Sequence, residues 1–240
     1  MTYRTIKLIN VGSSGKVYLV RHEKPPYKLF AMKSVALKGV KDIFAAKNEI
    51  DNLNAVQTHP HIVGLHDVIE TKSHVHIVQE LCGGPNLQQS MYYQDVESFN
   101  DNVKGMISAL QRCHEKKIVF GDLKPTNIVF STADMRYKLT DFGSSARIDD
   151  VTKHALLMTS TPEIAAPEVY NLAIPHVTTA YDVWSLGVLI KTMYAALNVK
   201  IVAVEDYIAR CMMPDARQRM KSEDLMTEWE RCCLYFEGSC

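Results

Sequence analysis

The hydrophobic period of the chain changes once, near Cys82-Gly83-Gly84-Pro85, and this switch restricts the possible folds more than any other feature. Before it, β-branched and aromatic runs with polar breaks predict strands at Tyr3 to Ile9, Lys16 to Arg21, Lys28 to Val35, Ile62 to Ile69 and His74 to Glu80. One helix interrupts them. Between Asp42 and Val56 the apolar residues Ile43, Phe44, Ile50, Leu53 and Val56 fall near helical spacing, and His59-Pro60-His61 ends the segment. After the switch, Val103, Met106, Ile107, Leu110 and Cys113 form one stripe of a helix running to about Glu115. Short strands follow near Ile118 to Phe120, Ile128 to Phe130 and Tyr137 to Leu139, then helices near Tyr181 to Ala196, Ile201 to Cys211 and Ser222 to Leu234. Ser222, with Glu223 and Asp224 after it, is expected to cap the last helix through its hydroxyl. The expected class is α+β, strand-rich over residues 1–82 and helical over 83–240.

Charge and composition exclude several functions. Lys+Arg and Asp+Glu are both 27, so no basic field points to nucleic acid or an anionic membrane, and a charged ligand must be held by local groups. The most apolar later segment, Val183 to Val204, is broken by Lys191, Asn198 and Lys200 and suits a buried helix rather than a membrane span. The polar Val11-Gly12-Ser13-Ser14 leaves no room for a signal peptide. Six scattered cysteines without a CxxC pair, and nine histidines without HExxH, indicate reduced thiols and no metal site built wholly of protein ligands. The expected location is cytoplasmic or nuclear.

Four stretches carry chemistry. Asn10-Val11-Gly12-Ser13-Ser14-Gly15-Lys16-Val17 lies between two predicted strands, a hairpin rather than the strand-to-helix turn of a dinucleotide site; on its own it reads as a plain turn. Phe30-Ala31-Met32-Lys33 sets a lysine in an apolar strand, where an unpaired ammonium is costly, so Glu49 on the following helix is its natural partner. The bland reading is a strand-edge lysine that snorkels to water beside an exposed glutamate. Phe120-Gly121-Asp122-Leu123-Lys124-Pro125-Thr126-Asn127 and Asp141-Phe142-Gly143 decide between them. Two aspartates nineteen positions apart, each ending a short apolar strand, with Lys124 and Asn127 beside the first, suit a magnesium-bound polyphosphate.

These motifs, in this order, resemble a eukaryotic-type protein kinase domain of the serine/threonine type, from about Ile6 to Arg231. The resemblance implies a bilobal fold in one domain, with an antiparallel β lobe carrying one helix and a larger helical lobe. It implies ATP and Mg2+ (or Mn2+) as cofactors, protein serine and threonine hydroxyls as substrate, and a monomer. Asp122 is then the catalytic base, Lys124 neutralises the transferred group, and Asn127 and Asp141 hold the metal. The ATP-binding set is Asn10, Val11, Gly12, Gly15, Val17, Ala31, Lys33, Glu49 and Gln79, with the hinge Glu80, Leu81 and Cys82 recognising adenine through its backbone. Thr161 belongs to the substrate segment, Ala166-Pro167-Glu168 matches the family's APE motif, Asp182 its buried aspartate, and Arg219 the arginine that pairs with Glu168.

The departures are as informative. Asn10 stands for the first glycine of the phosphate loop, a residue tolerant of left-handed backbone. Phe120 and Gly121 stand for the histidine and arginine of the HRD motif: the ring can still pack on Phe142, but the receptor for a phosphorylated activation-loop residue is gone. Activity without activation-loop phosphorylation on Thr152 or Thr159 is therefore expected. Gln79, at the back of the adenine pocket, should make it more polar. Ser160 and Ile164 alter the peptide-facing segment. Only thirty-seven positions separate Asp182 from Arg219, so the family's helix G is expected to be lost or reduced. The rival reading is a pseudokinase that binds nucleotide or partner proteins without catalysis.

Overall fold

A computed structural model describes residues 2–12, 15–148, 161–170, 178–197 and 199–235. Strands β1 (Tyr3–Gly12), β2 (Gly15–His22), β3 (Leu29–Ala36), β4 (Leu65–Glu70) and β5 (His74–Glu80) form one antiparallel sheet in the order β1-β2-β3-β5-β4. Its register sets Lys33 between Val17 and Ile77, and Ala31 between Leu19 and Gln79. Because side chains alternate across a strand, Ala31 and Lys33 share one face. Ile62 and Val63 are core residues rather than part of β4; Ile62 instead bridges to Leu139.

Helix α1 (Val40–Val56) follows β3. Its buried side keeps only part of the predicted apolar stripe. Ile43 and Phe44 are 52% and 57% exposed, whereas Asn48, Glu49 and Asn52 are buried beside Leu53 and Val56. A helix pays for such polar burial only through partners, and those partners define the site below.

The boundary expected near 82–85 carries a strand of its own. Strand β6 (Gly83–Asn86) pairs with β8 (Ile128–Ser131), which pairs with β9 (Arg136–Leu139). Gly83 has φ +78°, and a Cβ on Gly84 would sit 2.7 Å from the Phe130 carbonyl oxygen, so the glycines permit a close approach that sequence period alone does not reveal. Between β6 and β8 lie helix α2 (Leu87–Ser90), helix α3 (Val96–Glu115), capped by Asp95 accepting from the Ser98 amide at 2.8 Å, and the short strand β7 (Ile118–Val119). Strand β10 (Ala146–Arg147), unforeseen in the sequence, pairs with β7.

Helices α4 (Ala180–Ala196), α5 (Val202–Cys211) and α6 (Leu225–Cys233) complete the helical part. Five residues, 197–201, join α4 to α5, and position 198 is outside the described residues; the expected loss of one helix is observed as this short connection. One hydrophobic core runs from Leu53 and Val56 of α1 through Met106 and Leu110 of α3 and Leu186 and Ile190 of α4 to Trp229 of α6. Ser222 does not cap α6. It opens a 3-10 turn, Ser222–Asp224, and its hydroxyl pairs with His114 Nδ1 instead.

Candidate functional site

The sheet and α1 bring Lys33 against two carboxylates. Its Nζ lies 2.6 Å from Glu49 Oε1 and 2.7 Å from Asp141 Oδ1. Lys33 and Glu49 are 5% and 2% exposed, so the ammonium would be untenable without them. Burial works against the Lys33 charge, but Glu49 and Asp141 outweigh it and raise its pKa. Burial alone would lift the Asp141 carboxyl, yet Lys33 overrides it and holds the group below its ordinary value. Asp141 sits at φ 65°, in the left-handed region, and its Oδ1 also accepts from the Gly143 amide at 3.2 Å. A non-glycine residue there carries strain that the surrounding contacts must offset.

The loop 120–127 is shaped from below by Asp182, which is wholly buried. Its Oδ2 accepts from the Phe120 amide at 2.7 Å and from His114 Nε2 at 2.8 Å, and its Oδ1 from the Gly121 amide at 2.9 Å. Gly121 has φ +83°, so the glycine relieves a strain that any side chain here would impose. Phe120 meets Phe142 edge to face with centroids 5.1 Å apart, the packing expected of it.

Above this base, Asp122 gathers its neighbours. Its Oδ2 lies 2.7 Å from Lys124 Nζ and accepts from Asn127 Nδ2 at 2.9 Å, while Oδ1 accepts from the Thr161 hydroxyl at 3.0 Å. Lys124 Nζ donates in turn to Thr161 Oγ1 at 2.8 Å. The Thr140 amide donates to the Asn127 carbonyl at 2.9 Å, which ties this cluster to Asp141. Asn127 Nδ2 also bonds the Asp122 carbonyl at 3.0 Å, so its Oδ1 faces the other way as an acceptor. With the Asp141 carboxylate, 38% exposed, this offers two hard oxygen donors and room for others, the sparse protein ligation that magnesium accepts when phosphates and water complete its shell. Among the described residues no group of three or more His, Cys, Asp or Glu forms a self-sufficient metal site.

Asn10 does not need the left-handed backbone anticipated for it. It lies in β1 opposite Val17, and its Oδ1 accepts from the Val11 amide at 2.9 Å. The glycine that matters is Gly15, at φ +152°, where a Cβ would meet the Ser34 carbonyl oxygen at 2.6 Å. Gly12, Gly15, Glu49 and Gly143 line one cavity of about 490 Å³. A larger cavity, about 1350 Å³, surrounds His114, Glu168 and Arg219 and includes neither Asp122 nor Asp141.

At the hinge, Gln79 is buried, and its Nε2 has no hydrogen-bond partner among the described residues. Leu81 is half-buried and joins β5 to β6. Two backbone groups of the hinge are engaged internally: the Glu80 amide donates to Gly64 and the Cys82 carbonyl accepts from Thr132, at 2.9 and 2.8 Å. Burial pushes the Cys82 thiol up to about 12. The Glu80 carboxylate turns to Lys138 Nζ at 2.7 and 2.8 Å. Nothing in the sequence links Glu80 to Lys138, fifty-eight positions away.

Arg219 clamps Glu168 with two bonds, 2.7 and 3.0 Å, and donates to the Ala180 carbonyl at 2.6 Å. Thr152, Thr159 and Ser160 lie outside the described residues.

Comparison with known proteins agrees with this geometry. Residues 3–229 match the protein kinase domain. The chain is 36% identical over 200 residues to ribosomal protein S6 kinase alpha-6 of Danio rerio, covering 80% of this chain and 26% of that protein. It is 34% identical over 206 residues to the carbon catabolite-derepressing protein kinase of Saccharomyces cerevisiae, covering 80% and 30%, and 31% identical over 197 residues to serine/threonine-protein kinase RUNKEL of Arabidopsis thaliana, covering 80% and 14%. The chain thus spans under a third of the length of each of these relatives. With a match over almost all of its residues, the chain belongs to the protein kinase domain family.

Proposed function

We propose that this protein transfers the γ-phosphoryl group of ATP to serine and threonine hydroxyls of protein substrates, and that it does so without activation-loop phosphorylation. The observation that carries the reading is the hydrogen-bonded cluster of Asp122, Lys124, Asn127 and Thr161, joined through Thr140 to Asp141 and Lys33.

Asp122 accepts from the Thr161 hydroxyl, and a substrate hydroxyl entering at that point would meet the same carboxylate as orienting base. Lys124 stands beside it to balance charge on the group in transfer. Lys33, fixed between Glu49 and Asp141, would offer its ammonium to the α- and β-phosphates, with Gly12 and Gly15 at the facing ends of β1 and β2 beside them. Asn127 Oδ1 and Asp141 would hold magnesium. The metal, when bound with ATP, supplies charge neutralisation on the β- and γ-phosphates. Adenine recognition would fall to the hinge backbone groups left over after Gly64 and Thr132 have taken theirs, with Val17, Ala31 and Gln79 around the base. In the same reading residues 1–82 and 83–240 are the two lobes of one domain, monomeric and working in the cytoplasm or nucleus; among the described residues no helix is long and apolar enough to cross a membrane.

The test is transfer from labelled ATP with magnesium to a generic protein substrate, beside Asp122→Asn and Asp141→Asn. Loss of one preorganised electrostatic group costs ~10²–10³ in rate. A wild type no faster than both variants would leave the nucleotide-binding pseudokinase as the reading.

A further inference from the structure

Asn48 and Asn52 lie one turn apart on the side of α1 that carries Glu49, and they are 5% and 0% exposed. Both reach one residue. Asn48 Nδ2 donates to the Ser145 carbonyl at 2.7 Å, and Asn52 Nδ2 donates to the Ser145 hydroxyl oxygen at 2.9 Å and to Asn48 Oδ1 at 3.2 Å. The Ser145 hydroxyl gives its own proton to the Phe142 carbonyl at 2.6 Å, and the Ser145 amide donates to that carbonyl at 3.0 Å. With the serine proton committed there, only an N–H can face its oxygen from α1, which fixes the orientation of the Asn52 amide.

These bonds tie α1 to the turn that begins at Asp141. Glu49, next to Asn48, and Asp141, just before Phe142, are the two carboxylates that hold Lys33. Sliding α1 along that turn would break the asparagine bonds and part the carboxylates together. A further detail argues against a role in bulk stability: Asn52 Oδ1 is buried with no hydrogen-bond partner among the described residues. An apolar residue would serve a core better than a half-satisfied amide, whereas a buried polar pairing can specify one arrangement.

We infer that Asn48, Asn52 and Ser145 are positioning residues whose buried network locks α1 onto the Phe142–Ser145 turn and so keeps the Lys33–Glu49–Asp141 arrangement assembled without a phosphorylated side chain. Its effect on rate rests on the proposed phosphoryl transfer; the lock itself does not.

The experiment compares Asn52→Leu, Ser145→Ala and the double variant with the wild type. Expected are a tenfold or larger fall in kcat for each single variant, a double variant no worse than the poorer single, and a urea midpoint unchanged or raised in the double variant, where the Asn52 amide and its serine acceptor are removed together. Rates equal to wild type, additive losses, or a rate loss matched by an equal loss of global stability would overturn the proposal. A second measurement is independent of catalysis. In nucleotide-free protein, amide hydrogen exchange of the double variant should rise tenfold or more within 42–52 and 142–148 while α3 stays protected. Unchanged exchange there defeats the lock even in an active enzyme; raised exchange in a protein whose wild type transfers no phosphate upholds the lock and rejects only the enzymatic reading. If Asn52→Leu does not fold, Ser145→Ala carries both measurements.

Discussion

The rings of Phe120 and Phe142 meet edge to face at 5.1 Å, both wholly buried, and join the loop that carries Asp122 to the turn that carries Asp141. Truncating either ring leaves a cavity between the two acidic motifs. Phe120→Ala should lower unfolding stability by ~3–5 kcal/mol in urea titrations. Phe120→His, which keeps a ring, should retain most of the transfer rate; loss of activity as complete as for the alanine variant would count against a packing role.

Lys33 and Glu49 should be separable in stability and activity. Lys33→Met strands the Glu49 carboxylate, 2% exposed, and should cost ~3–5 kcal/mol. The double variant Lys33→Met/Glu49→Met removes both charges and should regain most of that stability. Its transfer rate should remain down by ~10² or more. A double variant as unstable as the single one would show that Glu49 is not the buried charge at fault.

Gly121→Ala tests the backbone directly. At φ +83° a Cβ costs roughly 1–2 kcal/mol, which urea unfolding would detect. The companion expectation is regulatory: Thr152→Ala and Thr159→Ala should leave the rate of otherwise unmodified protein within about twofold. A several-fold rise on phosphorylation of either threonine in the wild type would refute independence from that switch.

His59 should make stability depend on pH. Its Nδ1 accepts from the His61 amide at 3.2 Å and its Nε2 faces the Ser108 hydroxyl at 2.9 Å, an arrangement for the neutral ring. Burial first, then the charges of His61 and Arg112, lower its pKa from 6.5 to about 4. Between those values the unfolded chain takes up a proton that the folded chain refuses, so stability falls as pH drops through this window and levels off below it. The ring is only partly buried, which damps the effect. His59→Gln should lose less stability than wild type between pH 7 and 4.5; identical losses would assign the slope elsewhere.

Much of the charged site was legible in the sequence because its residues are fixed by chemistry: Asp122, Lys124 and Asn127 lie within one loop, and Lys33 could be paired with Glu49 by the cost of burying charge, whereas the second partner of Lys33, Asp141, was read only as a metal ligand. The polar side of α1 was not, since Ile43 and Phe44 supply the helical period yet stay exposed while Asn48 and Asn52 go inside. Their partner Ser145 lies more than ninety positions away, beyond any local pattern. The Glu80–Lys138 pair escaped for the same reason. For Asn10 a strand pairing with Val17 sets the backbone, so its tolerance of left-handed angles is not called upon.

Asp182 holds the amides of Phe120 and Gly121, not their side chains. The course of the loop is therefore written in main-chain groups common to nearly every amino acid. A motif scored letter by letter registers two losses at 120 and 121, where the peptide backbone registers none. Degenerate spelling at such anchored positions is a poor guide to lost competence; a change at Asp182 itself, which no search for the HRD letters would notice, would be the more serious defect.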